Sequence, residues 1–342
     1  MILQNGGILN TADFFLYLGE LYWKRGDLET SEIILSQVIS SLSMSVSWRM
    51  RLLAISARLQ LDRGDLEGAD VECTLARAWI EREGDNVEFR EDGYRGFGRV
   101  IGNLDALLLL RRGDVNKAVT TFADAERLGI EDGYGPWPVM SFVSSKAEIR
   151  EAIGALSQGE DELRVAIEAW RLEGSRWSPD AIHALAILAR ILVDSDRCSE
   201  AAEVLAEAER VVARQRKVDP NPRTIWQLAR LDLIEGDRLA RLGDRPAAAT
   251  AWREALRLLD GNPEGSVGAE HHLVAGQAWL RLGRRDLARP HASRLAELGW
   301  GWPDWVPELA GELAGDPSAM PLTGSAGEPG EPHHETAQVA GG

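Results

Sequence analysis

The stretch Leu107-Leu108-Leu109-Leu110-Arg111-Arg112-Gly113-Asp114-Val115-Asn116-Lys117-Ala118-Val119-Thr120-Thr121-Phe122 decides the fold. Apolar residues crowd its first half, and Val115, Val119 and Phe122 recur at helical spacing in its second. Between them Gly113 offers the left-handed backbone that ends a helix without a Cβ penalty, and Asp114 an oxygen that can cap the next one. The stretch reads as a tight helix-turn-helix. The same punctuation recurs at Arg25-Gly26-Asp27-Leu28, Arg63-Gly64-Asp65-Leu66, Leu242-Gly243-Asp244 and Leu282-Gly283-Arg284. With Asp161 and Asp196 placed at the turn of two degenerate copies, seven units align.

The register is tested away from the turns. Seven residues before them stand Gly19, Ala57, Ala106, Gly154, Ala189, Gly236 and Gly276; five after them stand Ser31, Ala69, Ala118, Ala166, Ala201, Ala248 and Ala288. All are small. Nine after the turn most are large: Leu35, Phe122, Trp170, Leu205 and Trp252. Small residues let two helix axes approach closely, and large ones fill the gap to the next pair. On these offsets the chain resembles the tetratricopeptide repeat family, best in Leu18-Gly19-Glu20-Leu21-Tyr22 with Gly26, and in Gly113 with Ala118, Phe122 and Ala125. The resemblance implies an all-α, right-handed superhelical solenoid of about seven hairpins. It also implies a concave groove lined by the first helix of each hairpin, where a protein or peptide partner would sit.

The chain departs from the family in period. Turns at 26, 64, 113, 161, 196, 243 and 283 are 38, 49, 48, 35, 47 and 40 residues apart, against about 34 in the family. Insertions rich in Gly, Pro or Asp at 83–98, 129–138, 217–223 and 261–268 absorb the excess. The expected organisation is a lead over 1–10, a repeat array over 11–298, an aromatic capping segment over 299–314 and a disordered acidic Gly/Pro-rich tail over 315–342. Trp300, Trp302 and Trp305 suit a cap, because a solenoid must cover its last exposed core.

Composition bounds the function. The 342 residues carry 38 basic and 54 acidic side chains, a net charge of −16, which opposes nucleic acid or an anionic membrane surface as partner. No apolar run is long enough to span a bilayer. Cys73 and Cys198 are the only cysteines, and no basic residue precedes an apolar stretch at the N-terminus, so a reducing cytoplasm is expected. Abundant Arg, Ala and Gly point to a GC-rich bacterial source.

Catalytic signatures are scarce. Gly93-Tyr94-Arg95-Gly96-Phe97-Gly98 has its glycines in the wrong order for a dinucleotide fingerprint, and Gly265-Ser266-Val267-Gly268 is one residue short of a nucleophile elbow. The adjacent pairs His271-His272 and His333-His334 suit no tetrahedral ion, since neighbours on a helix diverge by about 100°. No catalytic residue, metal or cofactor is expected. Trp170, Trp252 and Trp279 fall at core offsets, while Trp23, Trp48, Trp137 and Trp177 have no assigned place. Glu91-Asp92-Gly93-Tyr94 recurs as Glu131-Asp132-Gly133-Tyr134, as two turn sequences or a paired contact surface.

Helical geometry puts residues 13, 10, 6, 3 and 2 before each turn on the groove face. Its basic members are Lys24, Arg51, Arg58, Arg111, Arg190, Arg230, Arg241 and Arg281; its acidic ones are Asp13, Glu20, Asp62, Glu148, Glu151, Asp194, Asp237 and Glu270. From this set and its polar members, the candidate partner groove is Arg51, Arg58, Asn103, Arg111, Arg190, Arg230, Asp237, Arg241, Gln277 and Arg281. The arginines either grip acidic or C-terminal groups of a peptide or pair with the neighbouring acids. Asn103 is the only Asn on that face and Lys24 the only Lys, which disfavours the chaperone-tail and pheromone-receptor chemistries of the family. A binding scaffold, not an enzyme, is the leading expectation. A stand-alone sensor module of a bacterial regulator, working with a separately encoded effector, is the second, and a helical-toroid carbohydrate-active enzyme the third. Homo-oligomerisation stays open.

Overall fold

The computed structural model describes residues 11–39, 46–83, 96–131, 140–172, 179–218, 221–261 and 268–314. The expected lead and tail, His333-His334, Trp137, Trp177 and nearly all of the two Glu-Asp-Gly-Tyr copies lie outside these. Among the described residues the chain is an all-α solenoid. Seven hairpins follow in order: α1 Thr11–Arg25 with α2 Leu28–Ile39, α3 Val46–Arg63 with α4 Leu66–Glu83, α5 Phe97–Arg111 with α6 Val115–Glu131, and α7 Met140–Ala152 with α8 Leu156–Leu172. Then come α9 Pro179–Asp194 with α10 Cys198–Val218, α11 Pro222–Arg241 with α12 Arg245–Asp260, α13 Ala269–Arg281 with α14 Arg285–Glu297, and a final helix, α15 Trp305–Ala314. No helix among the described residues is long and apolar enough to cross a membrane.

The seven turns share one hydrogen-bond pattern. In each, a residue in the left-handed region donates its N–H three residues back and the next residue donates five back, as Gly113 to Leu110 and Asp114 to Leu109. Gly26, Gly64, Gly113, Gly154, Gly243 and Gly283 have φ between 73° and 89°, and Asp196 has φ 58°. Asp27, Asp65 and Asp244 cap the helix that follows by accepting from Thr30, Gly68 and Ala247 N–H.

The fourth turn corrects the register read from sequence. It lies at Gly154, with Ala155 N–H donating to Arg150, and Asp161 is inside α8. A slip of seven residues is nearly two helical turns, so it keeps each residue's face and preserved the small-residue pattern by geometry. In the true register Ala147 and Gly159 are the facing small pair and Leu163 is the large filler, fully buried. Trp170 is displaced from that filler position and only partly buried. The turns at 26, 64, 113, 154, 196, 243 and 283 are now 38, 49, 41, 42, 47 and 40 apart, more even than before.

Elsewhere the notches are as expected. Ser31 Oγ donates to the Gly19 carbonyl at 2.9 Å across the first hairpin, and a Cβ at Gly19 would stand 2.6 Å from Leu35. A Cβ at Gly236 would overlap the indole of Trp252, which is itself buried. Cys73 and Cys198 are free thiols within the core.

The array does not stay open. Its first two hairpins pack against its last two, and one apolar cluster unites Leu16, Leu35 and Leu59 with Trp226, Trp252 and Val274. A second joins Met50 and Leu66 to Leu273, Leu295 and Trp300. Glycines make the seam close: a Cβ on Gly26 would lie 2.8 Å from Arg223 N, one on Gly64 2.8 Å from Leu298, and one on Gly268 would strike the Asp62 carbonyl. The expected curved trough is thereby folded into a central cleft.

Candidate functional site

First helices supply most of the cleft wall, as the offsets required. One lobe, about 110 Å³, is lined by residues including Arg58, Asp62, Arg111, Glu148, His183, Arg223, Trp226, Arg230, Glu270 and Trp300. The adjoining lobe, about 150 Å³, adds Glu151, Arg190, Asp194, Asp237, Gln277, Arg281, Trp302 and Pro303. Arg111, Glu148, Arg230 and Glu270 belong to both. Of the ten residues placed on the groove from sequence, Arg58, Arg111, Arg190, Arg230, Asp237, Gln277 and Arg281 line these lobes.

The other three lie away from them. Arg51 bonds Glu20 at 2.5 Å and stacks over Tyr17 and Trp48. Asn103 is buried within α5. Arg241 is exposed and bonds Asp196 at 2.9 Å. Sequence spacing missed Arg223 and Trp226, which enter at the start of α11, and Trp300 and Trp302, which follow α14. His183 stands thirteen before the turn at Asp196, a groove offset, so its place on the wall follows from the same periodicity.

One hydrogen-bonded chain crosses five consecutive hairpins. Arg111 on α5 donates to Glu148 on α7 at 2.6 Å, and the other Glu148 oxygen meets His183 Nε2 on α9 at 3.0 Å. Arg230 on α11 then reaches His183 Nδ1 at 2.8 Å and Glu270 on α13 at 3.1 Å. A guanidinium only donates, so His183 Nδ1 accepts and its proton is on Nε2, which donates to Glu148. Burial and the Arg230 charge push the His183 pKa down, against the pull of Glu148 and Glu270. Burial works to raise Glu148, but Arg111, His183 and Arg230 outweigh it and hold that carboxyl well below the usual range.

Two further contacts flank this chain. Arg190 on α9 pairs with Glu151 on α7, and Arg281 on α13 with Asp237 on α11 at 2.8 Å. At the seam, Asp62 accepts from Trp23 Nε1 at 2.8 Å and Arg223 at 2.9 Å. Burial opposes its charge, yet Arg58 and Arg223 hold Asp62 below its ordinary pKa. Arg111, Arg190, Arg230 and Arg281 are thus paired with acids of neighbouring repeats, Arg58 and Arg223 share Asp62, and a ligand must exchange bonds with them instead of meeting bare cations. Among the described residues no group of three or more His, Cys, Asp or Glu is arranged to hold a metal ion.

No family model matches the chain, and no curated protein matches it in sequence. Its backbone is similar to solved structures. A Rap protein complexed with competence and sporulation factor has a TM-score of 0.59 at 12% identity, covering 87% of this chain and 80% of that one. The apo form of RapI gives 0.51 at 12% identity, with 84% and 76% covered. A tetratricopeptide repeat protein from Parabacteroides merdae gives 0.40 at 15% identity, with 88% and 97% covered. The fold is that of a tetratricopeptide-type helical-repeat protein.

Proposed function

We propose that this chain is a protein-interaction scaffold, binding and not catalytic, that takes a peptide or an extended segment of a partner protein in its central cleft. The observation that carries this reading is the convergence of first-helix side chains from six hairpins, α3 to α13, on one two-lobed cleft, with the aromatic ring of Trp226 among them. Aromatic anchors and oriented ion pairs are the means by which such surfaces hold and select a chain segment. The two buried free thiols suit a reducing cytoplasm. A role as a bacterial regulatory module with a separately encoded effector is supported by the fold it shares with a Rap protein solved in complex with a factor.

The test is selection of a displayed peptide library on the immobilised protein. Selected peptides should lose binding to the pair Gln277→Lys and Arg281→Glu, whose sites line the adjoining lobe, while helicity is unchanged. Failure to select any peptide, or selection of peptides indifferent to that pair, would remove the cleft from the account.

A further inference from the structure

Residues 299–304 do more than lead to the terminal helix. After α14 the chain turns at Gly299, φ 82°, and runs without regular structure until α15. Instead of following the end of the array it crosses to the third hairpin. There Gly301 N–H donates to the Arg111 carbonyl at 2.7 Å and Trp302 N–H to the same oxygen at 3.3 Å. That carbonyl is one of the unpaired acceptors at the end of α5. The Arg111 guanidinium lies 5.0 Å from the ring centre of Trp300 and 5.4 Å from that of Trp302, within cation–π range. Gly301 is pressed so closely on the turn that a Cβ would stand 2.5 Å from the Arg112 carbonyl oxygen.

This segment also lies at the boundary of the two lobes. Trp300 lines the first, Trp302 and Pro303 line the second, and Arg111 between them lines both. The fit leaves bonds unmade: Arg111 Nη1 and Trp300 Nε1 are buried without a protein hydrogen-bond partner among the described residues. A buried donor without an acceptor is a standing cost, so an occupant that brought acceptors would hold the place better.

We propose that residues 299–304 are an intramolecular occupant of the cleft. They fill the site of an extended peptide segment that presents aromatic rings to Arg111, and an external segment of that chemistry, carrying acceptors for Arg111 and for its own neighbours, binds by displacing them. This rests on the binding reading above and adds to it the class of partner and a strap that competes with it. Native affinity is then reduced by the fraction of molecules whose strap is docked.

The experiment uses the full chain and a labelled synthetic peptide of residues 298–307, Leu-Gly-Trp-Gly-Trp-Pro-Asp-Trp-Val-Pro. Gly301→Val should expel the strap by collision, and Trp300→Ser with Trp302→Ser should release it by removing its anchors. Tryptophan quenching reports release for the first, and helicity is expected to hold for both. The peptide should bind both released proteins about tenfold or more tighter than the native one. Equal binding to native and released chains, or none to released chains, overturns the proposal. So does loss of helicity in both variants, which would make the segment a structural brace. A library peptide that binds at Arg281 without exposing Trp300 would leave the scaffold reading standing and sink the strap. A strap peptide that binds while no library peptide does would do the reverse.

Discussion

Arg230 places a guanidinium hydrogen bond on His183 Nδ1 at 2.8 Å, and so dictates that this histidine is a neutral acceptor facing a cation. The consequence is a pH dependence with a definite sign. The folded pKa of His183 lies below its ordinary value of 6.5. Between the two the unfolded chain binds a proton that the folded chain refuses, so stability falls as pH drops below about 6.5. His183→Gln keeps a donor and an acceptor without a titrating group. Melting at pH 7.5 and 5.5 should show a smaller drop for this variant than for the native protein; equal drops would refute the lowered His183 pKa.

Asp232 carries the opposite sign. Burial, then Glu254, Glu209 and Glu235, push its pKa up to about 7, against a weaker pull from Arg257. The folded chain there keeps a proton that the unfolded one has lost, so stability falls as pH rises from the ordinary value of 3.8 towards about 7. Asp232→Asn should raise the melting temperature by about 2–4 °C at pH 8 and change it little near pH 4. A variant that melts lower at pH 8 contradicts the assignment.

The corrected fourth turn has its own assay. Gly154 has φ 73° and open space around its Cβ position, so Gly154→Ala meets only the backbone penalty of the left-handed region, about 1–2 kcal/mol. Asp161 is exposed inside α8, and Asp161→Ala should stay within about 0.5 kcal/mol of the native value. Denaturant titration of the two decides which residue turns the chain.

Gly236 and Trp252 are one unit of packing. Trp252→Ala should cost about 3–5 kcal/mol through the void it leaves. Gly236→Val should also destabilise, by driving a side chain into the indole. Combined, the two should cost less than their sum, because the valine enters the vacated space. Strict additivity would mean that they do not touch. Ala118, Ala201 and Ala248, all without solvent exposure, should resist leucine for the same reason.

Sequence made the hairpins legible because each is local: Gly26, Gly64, Gly113, Gly243 and Gly283 announce their turns, and facing small residues recur a fixed number of steps away. Asp161 misled because helical periodicity cannot distinguish registers two turns apart, and Gly154 fits either. Seven of the ten groove residues reach the cleft by the same periodicity. What periodicity cannot carry is the seam. Arg223 meets Trp23 from 200 residues away along the chain and Asp62 from 161, and no repeat offset relates them. Trp300 packs with Leu273 and Leu295 of hairpin seven, and no repeat offset shows that it also stands over Arg111 of hairpin three. Likewise His272 finds a ring partner in His291 at 3.1 Å only because α13 and α14 are folded together.

The seam between Gly26 and Arg223 changes how the molecule is made. Repeat arrays ordinarily grow outward from wherever they start, each unit needing only its neighbour. Here part of the first hairpin's surface, at Gly26 where Arg223 packs, is not covered until the sixth has been synthesised, so the newborn N-terminal part must wait, sticky and incomplete, for its distant counterpart. Once shut, the circle should come apart as one body and not fray from its ends.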